Sequence, residues 1–366
     1  MERAGRFIIL ILIIIPANLY AQSLQIRGQL SSWLMVRDKA EIGIRYIPET
    51  NILKSLDDER SLDAHIAINA HITAPLDSLS KTANNSNAKL YRLWLRYATS
   101  QSETRVGLQK INFGPAKILR SLMWFDTLDP QDPFKLTDGV YGMLERYYFL
   151  NNSNFWLWGL YGNNERKGLE FMKTDNDHME YGSRYQFPVY KGEAALSFHK
   201  RYVNEADPEN TLYSLSDGRE NRLAIDGEWD VGIGLWIETS IERIKKNSRN
   251  DVVRNSMTIG SDYTWESGIH LLFEHCTQST IVKTNTDDTS RQKDVSALSV
   301  DYLFSILDSI RVIEYYDWDE EKAYAYMSWQ HTYDNWQINV IAFSNRENSV
   351  TTYNGEGIHC TITYNH

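Results

Sequence analysis

The side chains able to do chemistry in this 366-residue chain are charged, and they are sorted along it. Arg92, Arg96, Arg105, Arg184, Arg201 and Arg222 come first, and Asp226, Glu228, Glu238, Glu242, Asp262, Glu274 and Asp301 follow. Each lies on the polar face of a segment in which polar and apolar residues alternate. Such a pattern suits electrostatic selection rather than bond-making. The motifs of covalent catalysis are missing: there is no Gly-x-Ser-x-Gly elbow, no phosphate-binding loop and no His-Glu-x-x-His. His65 and His71 share a strand face but stand six residues apart. That is about 20 Å along a strand, too far to hold one metal. No enzyme, cofactor or metal site is expected. A serine and histidine brought together at a rim is the one catalytic arrangement left open.

The elements that must position these charges are strands. Strict alternation recurs over segments of about ten residues, the period of a strand with two unlike faces. Leu62, Ala64, Ile66, Ile68, Ala70 and Ile72 form one face, and Asp63, His65, Ala67, Asn69 and His71 the other. About eighteen such segments start near residues 24, 39, 61, 88, 103, 139, 154, 178, 191, 219, 231, 252, 268, 292, 309, 322, 335 and 354. Those near Asn154 and Ser309 carry apolar residues on both faces, so sixteen remains open. From the fourth strand on, every second joint is tight, while those between are mostly longer and polar. Residues 48–60 read as an exception, a long joint on the short-turn side. Ten-residue strands are long enough to cross a bilayer at a tilt. The expected fold is therefore all-β, a transmembrane antiparallel up-and-down barrel of 16 to 18 strands with 18 preferred. A soluble β-sandwich also alternates, but it favours shorter strands.

Residues 1–21 read as a signal peptide, leaving 22–366 for the barrel. Arg3 and Arg6 precede an apolar run from Phe7 to Ile15, Pro16 breaks it, and Ala21 then Gln22 form a cleavage point. The run is short for a membrane anchor, the alternative for this stretch. Export and strands together predict the outer membrane of a Gram-negative-type bacterium, with lipid as a partner, since only helices and closed barrels pair every backbone group inside lipid. The net charge of −10 argues against nucleic acid. The 11 Trp, 22 Tyr and 12 Phe suit girdles at the membrane interfaces. Cys276 and Cys360 fall on opposite faces, inward and outward, and are expected as free thiols.

Residues 111–138 form the longest unpatterned connection, and within it 116–125 could make a turn or two of helix. Its Leu, Met, Trp and Phe content suits packing against a wall, either inward as a constriction or outward as a lid. Arg120, Asp126, Asp129 and Asp132 are its candidate constriction charges. The run from residue 105 to 134 resembles the strand and loop of porin-like outer-membrane proteins. In those families a Gly-x-Gln strand end leads to an aromatic-Gly turn and a Pro-rich acidic loop. The matching residues are Gly107, Gln109, Phe113, Gly114, Asp129, Pro130, Asp132 and Pro133. The resemblance implies a porin-like channel. With the charges above, it points to passive diffusion of small polar or anionic solutes. A closed barrel serving ligand binding or surface attachment is the alternative, and a homo-oligomer stays open. The thirteen inward charges are the pore-lining candidates. They either oppose a basic wall to an acidic one across the lumen, or are paired charges of a wide barrel. In the first arrangement Arg92, Arg96 and Arg105 face the loop's acids.

Overall fold

The computed structural model describes residues 23–76, 85–170, 172–206, 218–246, 251–283, 288–345, 353 and 355–366; the expected signal segment lies outside them. The strands are β1 (Ser23–Val36), β2 (Ala40–Ser55), β3 (Ser61–Pro75), β4 (Asn85–Ala98), β5 (Ser102–Gln109), β6 (Val140–Tyr148), β7 (Asn154–Leu160), β8 (Met172–Thr174), β9 (Glu180–Val189) and β10 (Gly192–Ala206). They continue with β11 (Gly218–Asp230), β12 (Gly234–Lys246), β13 (Asp251–Thr264), β14 (Ile269–Lys283), β15 (Thr289–Leu303), β16 (Asp308–Asp317), β17 (Lys322–Tyr333), β18 (Trp336–Ser344) and β19 (Glu356–Asn365). Neighbours pair antiparallel in chain order, and β1 pairs with both β2 and β19, which closes the sheet. Closure removes the exposed edges that could not survive in lipid. β8 and β9 both run antiparallel to β10, so they are two pieces of one stave. The nineteen strands therefore make an eighteen-stave barrel.

The alternation that predicts strands also sorts the two faces. Leu223 and Ile225 of β11 are 58% and 55% exposed on the outside, while Arg222 and Asp226 are 1% and 4% exposed within. Aromatic pairs mark the end with the tight turns: Tyr147 with Phe149, Tyr263 with Trp265, Tyr302 with Phe304, and Trp336 with Tyr364. Amphipathic rings sit at this depth because one edge meets lipid and the other meets water. The eight connections at this end span five residues or fewer, and β1 starts and β19 finishes there.

Two expectations need correction. Residues 48–60 are not a long joint, because β2 runs on to Ser55. Pro48 and Ile47 lose their partners on β3, but β1 pairs through them at Gly28 and Gln29 and carries the strand. Residues 116–125 form no helix. The amides of residues 116–119, 121 and 122 are taken by carboxylates of the wall instead of by carbonyls four residues back.

Candidate functional site

Residues 110–139, between β5 and β6, cross the barrel interior. Two inward-facing acids fasten the loop by its backbone. Glu238 of β12 accepts N–H bonds from Ala116 (2.9 Å), Ser121 (2.8 Å) and Leu122 (3.1 Å). Glu274 of β14 accepts from Lys117 (2.7 Å), Ile118 (3.0 Å) and Leu119 (2.5 Å), and from Nε1 of Trp236 (3.0 Å). Both are fully buried, so each charge is balanced by amide dipoles rather than by water. The fit requires glycine at residue 114, where φ is +95° and a Cβ would lie 2.2 Å from Glu238 Oε1. At the near end Ile111, Phe113, Leu122, Trp124 and Phe125 pack on Val140, Leu144, Trp158 and Leu160. At the far end Ile118 and Phe134 reach a second apolar cluster on the opposite wall, around Trp33, Ile313 and Ile341. Phe134 meets Trp33 at 5.8 Å, and the Arg45 guanidinium stands 5.1 Å from each ring. Gln131 Oε1 accepts from Asn345 (2.9 Å), and the Thr137 carbonyl accepts from Arg92 (2.9 Å). The loop thus folds inward, one of the two arrangements its composition allows, and touches the wall on several sides.

All thirteen candidate charges turn inward, but they do not form two opposed walls. Arg184 grips Asp226 with two bonds of 2.6 and 2.7 Å. Arg201 and Arg222 share Glu220 and Glu170, Arg222 at 3.0 and 2.7 Å, and all four are buried. Glu242 pairs with Arg254. Arg96 binds Asp63 and Glu103, and Arg105 binds Glu103 at 2.8 Å. Asp262, His270, Asp301 and Arg311 form a chain along β13 to β16. Glu228, 45% exposed, lies 3.9 Å from Lys117 of the loop. The transverse field is therefore corrected to local neutralisation. A charge removed from water needs a partner at contact distance, which the opposite side of a wide barrel cannot supply.

The loop's own charges are likewise satisfied nearby. Arg120 pairs with Asp126 at 2.5 Å. Asp129 accepts from the Gln131 N–H, and Asp132 from the Phe134 and Leu136 N–H groups. Burial pushes the Asp132 carboxyl above its usual range, opposed by those amides and by Arg45. The expectation that Arg92, Arg96 and Arg105 face these acids fails: only Arg92 reaches the loop, at a carbonyl.

The joint that follows β7, one of the longer polar ones, also sends side chains inward: Asn163, Lys167 and Glu170 are buried. Lys167 bonds Glu180 at 2.9 and 3.0 Å, and Glu170 completes the Arg201–Arg222 network. Gly168, at φ +50°, lets this segment press on the crossing loop, since a Cβ there would lie 1.7 Å from the Met123 carbonyl. The sequence held a signal for this. Arg201 and Arg222 face inward on paired strands, and one acid between them, Glu220, is too few for two buried guanidinium groups.

Water-accessible space flanks the loop toward the short-turn end. One cavity of about 620 Å³ is lined by Lys117, Glu193, Glu228, Trp236 and Asp262. Another of about 730 Å³ lies between Pro130–Pro133 and strands β14 to β18. A third of about 340 Å³ touches Trp94, Arg96 and Arg105. Cys276 and Cys360 are free, Cys276 beneath the loop beside Ser121 and Cys360 between the outward Ile358 and Ile362. Among the described residues no group of three or more His, Cys, Asp or Glu is placed to hold a metal.

No family model matches the chain, and no curated protein sequence does. Solved structures do. The chain is similar to the Pseudomonas aeruginosa protein OccK2 (OpdF), solved in complex with glucuronate, at 10% identity and a TM-score of 0.59 over 94% of this chain and 97% of that one. It is similar to OmpT, an outer-membrane protein of Vibrio cholerae in its trimer form, at 12% identity and TM-score 0.56 over 94% and 99%. It is also similar to an anion-selective porin from Comamonas acidovorans, at 11% and 0.51 over 94% and 99%. The closed antiparallel barrel, its short turns at one end and its inward loop thus place the chain in the porin-like β-barrel fold of Gram-negative outer membranes.

Proposed function

We propose that this protein is an outer-membrane channel for passive diffusion of small polar or anionic solutes, with residues 1–21 directing its export. The observation that carries this reading is the water-accessible space against the crossing loop, lined by polar side chains in an otherwise packed interior. A barrel built only to be closed gains by filling such space. The anionic preference rests on two cations. Arg45 and Arg92 face the loop and make no ion pair with a carboxylate among the described residues, so they leave a positive field where the lumen is narrow. The glucuronate of one neighbour and the anion selectivity of another point the same way, and the trimer form of a third makes a homo-oligomer worth testing. The second reading, a closed barrel for ligand binding or surface attachment, draws on the dry network around Arg201 and Arg222, which closes part of the cross-section. Conductance of the refolded protein in planar bilayers tests the proposal. Stable steps with a reversal potential favouring anions are expected, and a silent membrane would support the closed barrel.

A further inference from the structure

The charges that β10 to β13 turn outward are confined to one end. Among the described residues they are Lys200, Arg219, Arg243, Lys245 and Asp251. Strand register sets Lys200, Asn221 and Arg243 in one row and Tyr202, Arg219 and Lys245 in the next. Arg219 lies directly opposite Lys245. Asp251 is held by Arg243 at 2.6 Å, and Lys283 of β14 lies opposite it. Lys200, Arg219 and Lys245 make no ion pair among the described residues; Lys200 stands 5.7 Å from the Tyr181 ring and Arg219 5.4 Å from Tyr202. Next to Tyr202, Asp175 is engaged by His178 (3.0 Å), which stacks on that ring.

The adjoining row is apolar: Phe198, Leu223 and Ile241, with Leu223 and Ile241 58% and 51% exposed. On β11 the span from Arg219 back to Trp229, at the tight-turn end, is about 25 Å for a strand rise of ~3.3 Å and a tilt of ~40°. That is the height of a lipid-facing apolar band, so the cations stand at its far edge, where the longer loops are. A single lysine or arginine at such an edge reaches into water and needs no ligand. Here four cations on four strands meet one acid, in a chain of net charge −10. Like charges directly opposite on neighbouring strands repel, and an anion seated between them removes that cost. The anion must also suit the apolar row, which a free ion does not. Guanidinium groups and lysines both take phosphate oxygens, and the excess of three positive charges calls for more than one phosphate. We propose that this outward face binds a phosphorylated lipid of the outer leaflet, its phosphates on Lys200, Arg219, Arg243 and Lys245 and its acyl chains along Phe198, Leu223 and Ile241. The site stands whether or not the barrel conducts.

Native mass spectrometry of the refolded protein in detergent tests it, with lipid A, an acylated disaccharide carrying two phosphates, as the probe. Wild type is expected to retain this lipid about ten-fold or more better than the same lipid stripped of both phosphates. Arg219→Gln with Lys245→Gln should lose a similar factor, while Lys54→Gln with Lys191→Gln, the same charge removed at the tight-turn end, should lose none. Lys200→Gln with Arg243→Gln serves where the first pair gives no heat-modifiable folded band. Equal retention of the two lipids by wild type would overturn the site without any variant. So would a folded outer-end pair that binds like wild type, or an equal loss in the tight-turn pair. Pyrophosphate retained as well as the lipid would assign the cations to a soluble anion and overturn the lipid.

Discussion

Removing the Glu274 carboxylate should open the barrel. It holds three consecutive amides of the crossing loop and the Trp236 indole, so Glu274→Ala leaves four donors without their acceptor. A buried donor left unpaired costs about 1–3 kcal/mol. Even at the low end the four together cost about 4 kcal/mol, a large share of what holds a lumen-crossing loop in one place. The barrel itself should survive, since the ladders of β13, β14 and β15 do not pass through this side chain. The loop would then leave the wall at residues 117–119 while Glu238 still grips 116, 121 and 122. The double variant with Glu238→Ala frees the whole stretch. Glu274→Gln should fall between, because its carbonyl still accepts while its amide turns two protons toward the loop. Single-channel conductance should rise in the order wild type, Gln, Ala, double variant, with the folded band kept on unheated gels. Unchanged conductance and unchanged protease resistance in the folded double variant would show that the two acids do not hold the loop.

Cys276 lies beneath that loop, so a water-soluble maleimide should label it slowly in the wild type and at least ten times faster in Glu274→Ala; equal rates would place the thiol elsewhere. Cys360 faces lipid and should react with a bilayer-soluble maleimide and resist the water-soluble one. Glu220→Gln strips charge from two buried arginines, and breaking such a network costs roughly 3–5 kcal/mol, so the denaturant midpoint should drop well beyond that of a rim change such as Glu193→Gln. Arg45→Glu with Arg92→Glu should move the reversal potential toward cations, and an unmoved potential would take these residues out of the ion path.

The barrel was legible because alternation is a local property that the bilayer enforces along every stave. All eighteen strand starts read from periodicity lie within three residues of those observed, including the ambiguous ones near Asn154 and Ser309. Their mixed faces have a cause. Trp156, Trp158 and Leu160 are apolar and inward because the loop's Phe113 and Trp124 pack on them, and Ile313 because Tyr353 and Ile118 do. What periodicity could not give was the partner of each charge. Face assignment puts Arg184 and Asp226 inside but does not say that they meet across β10. Residues 163–177 look solvated by composition, and only the tertiary fold turns Lys167 and Glu170 inward.

The sorting of charge along the chain is then a consequence of how the interior is closed. Strands β10 and β11 bring Arg201 and Arg222 together, and the acids that neutralise them must come from a neighbour or a loop, which Glu220 and Glu170 supply. Glu238 on β12 and Glu274 on β14 have no arginine at contact distance, unlike Glu242, which Arg254 pairs. An uncompensated buried carboxylate there would be costly, and the crossing loop resolves it with six amides. The acidic segment is thus the anchor of the loop, and the loop is what makes that segment tolerable. Neither is stable in its place alone, which is why residues 116–122 follow the spacing of two carboxylates rather than a helix.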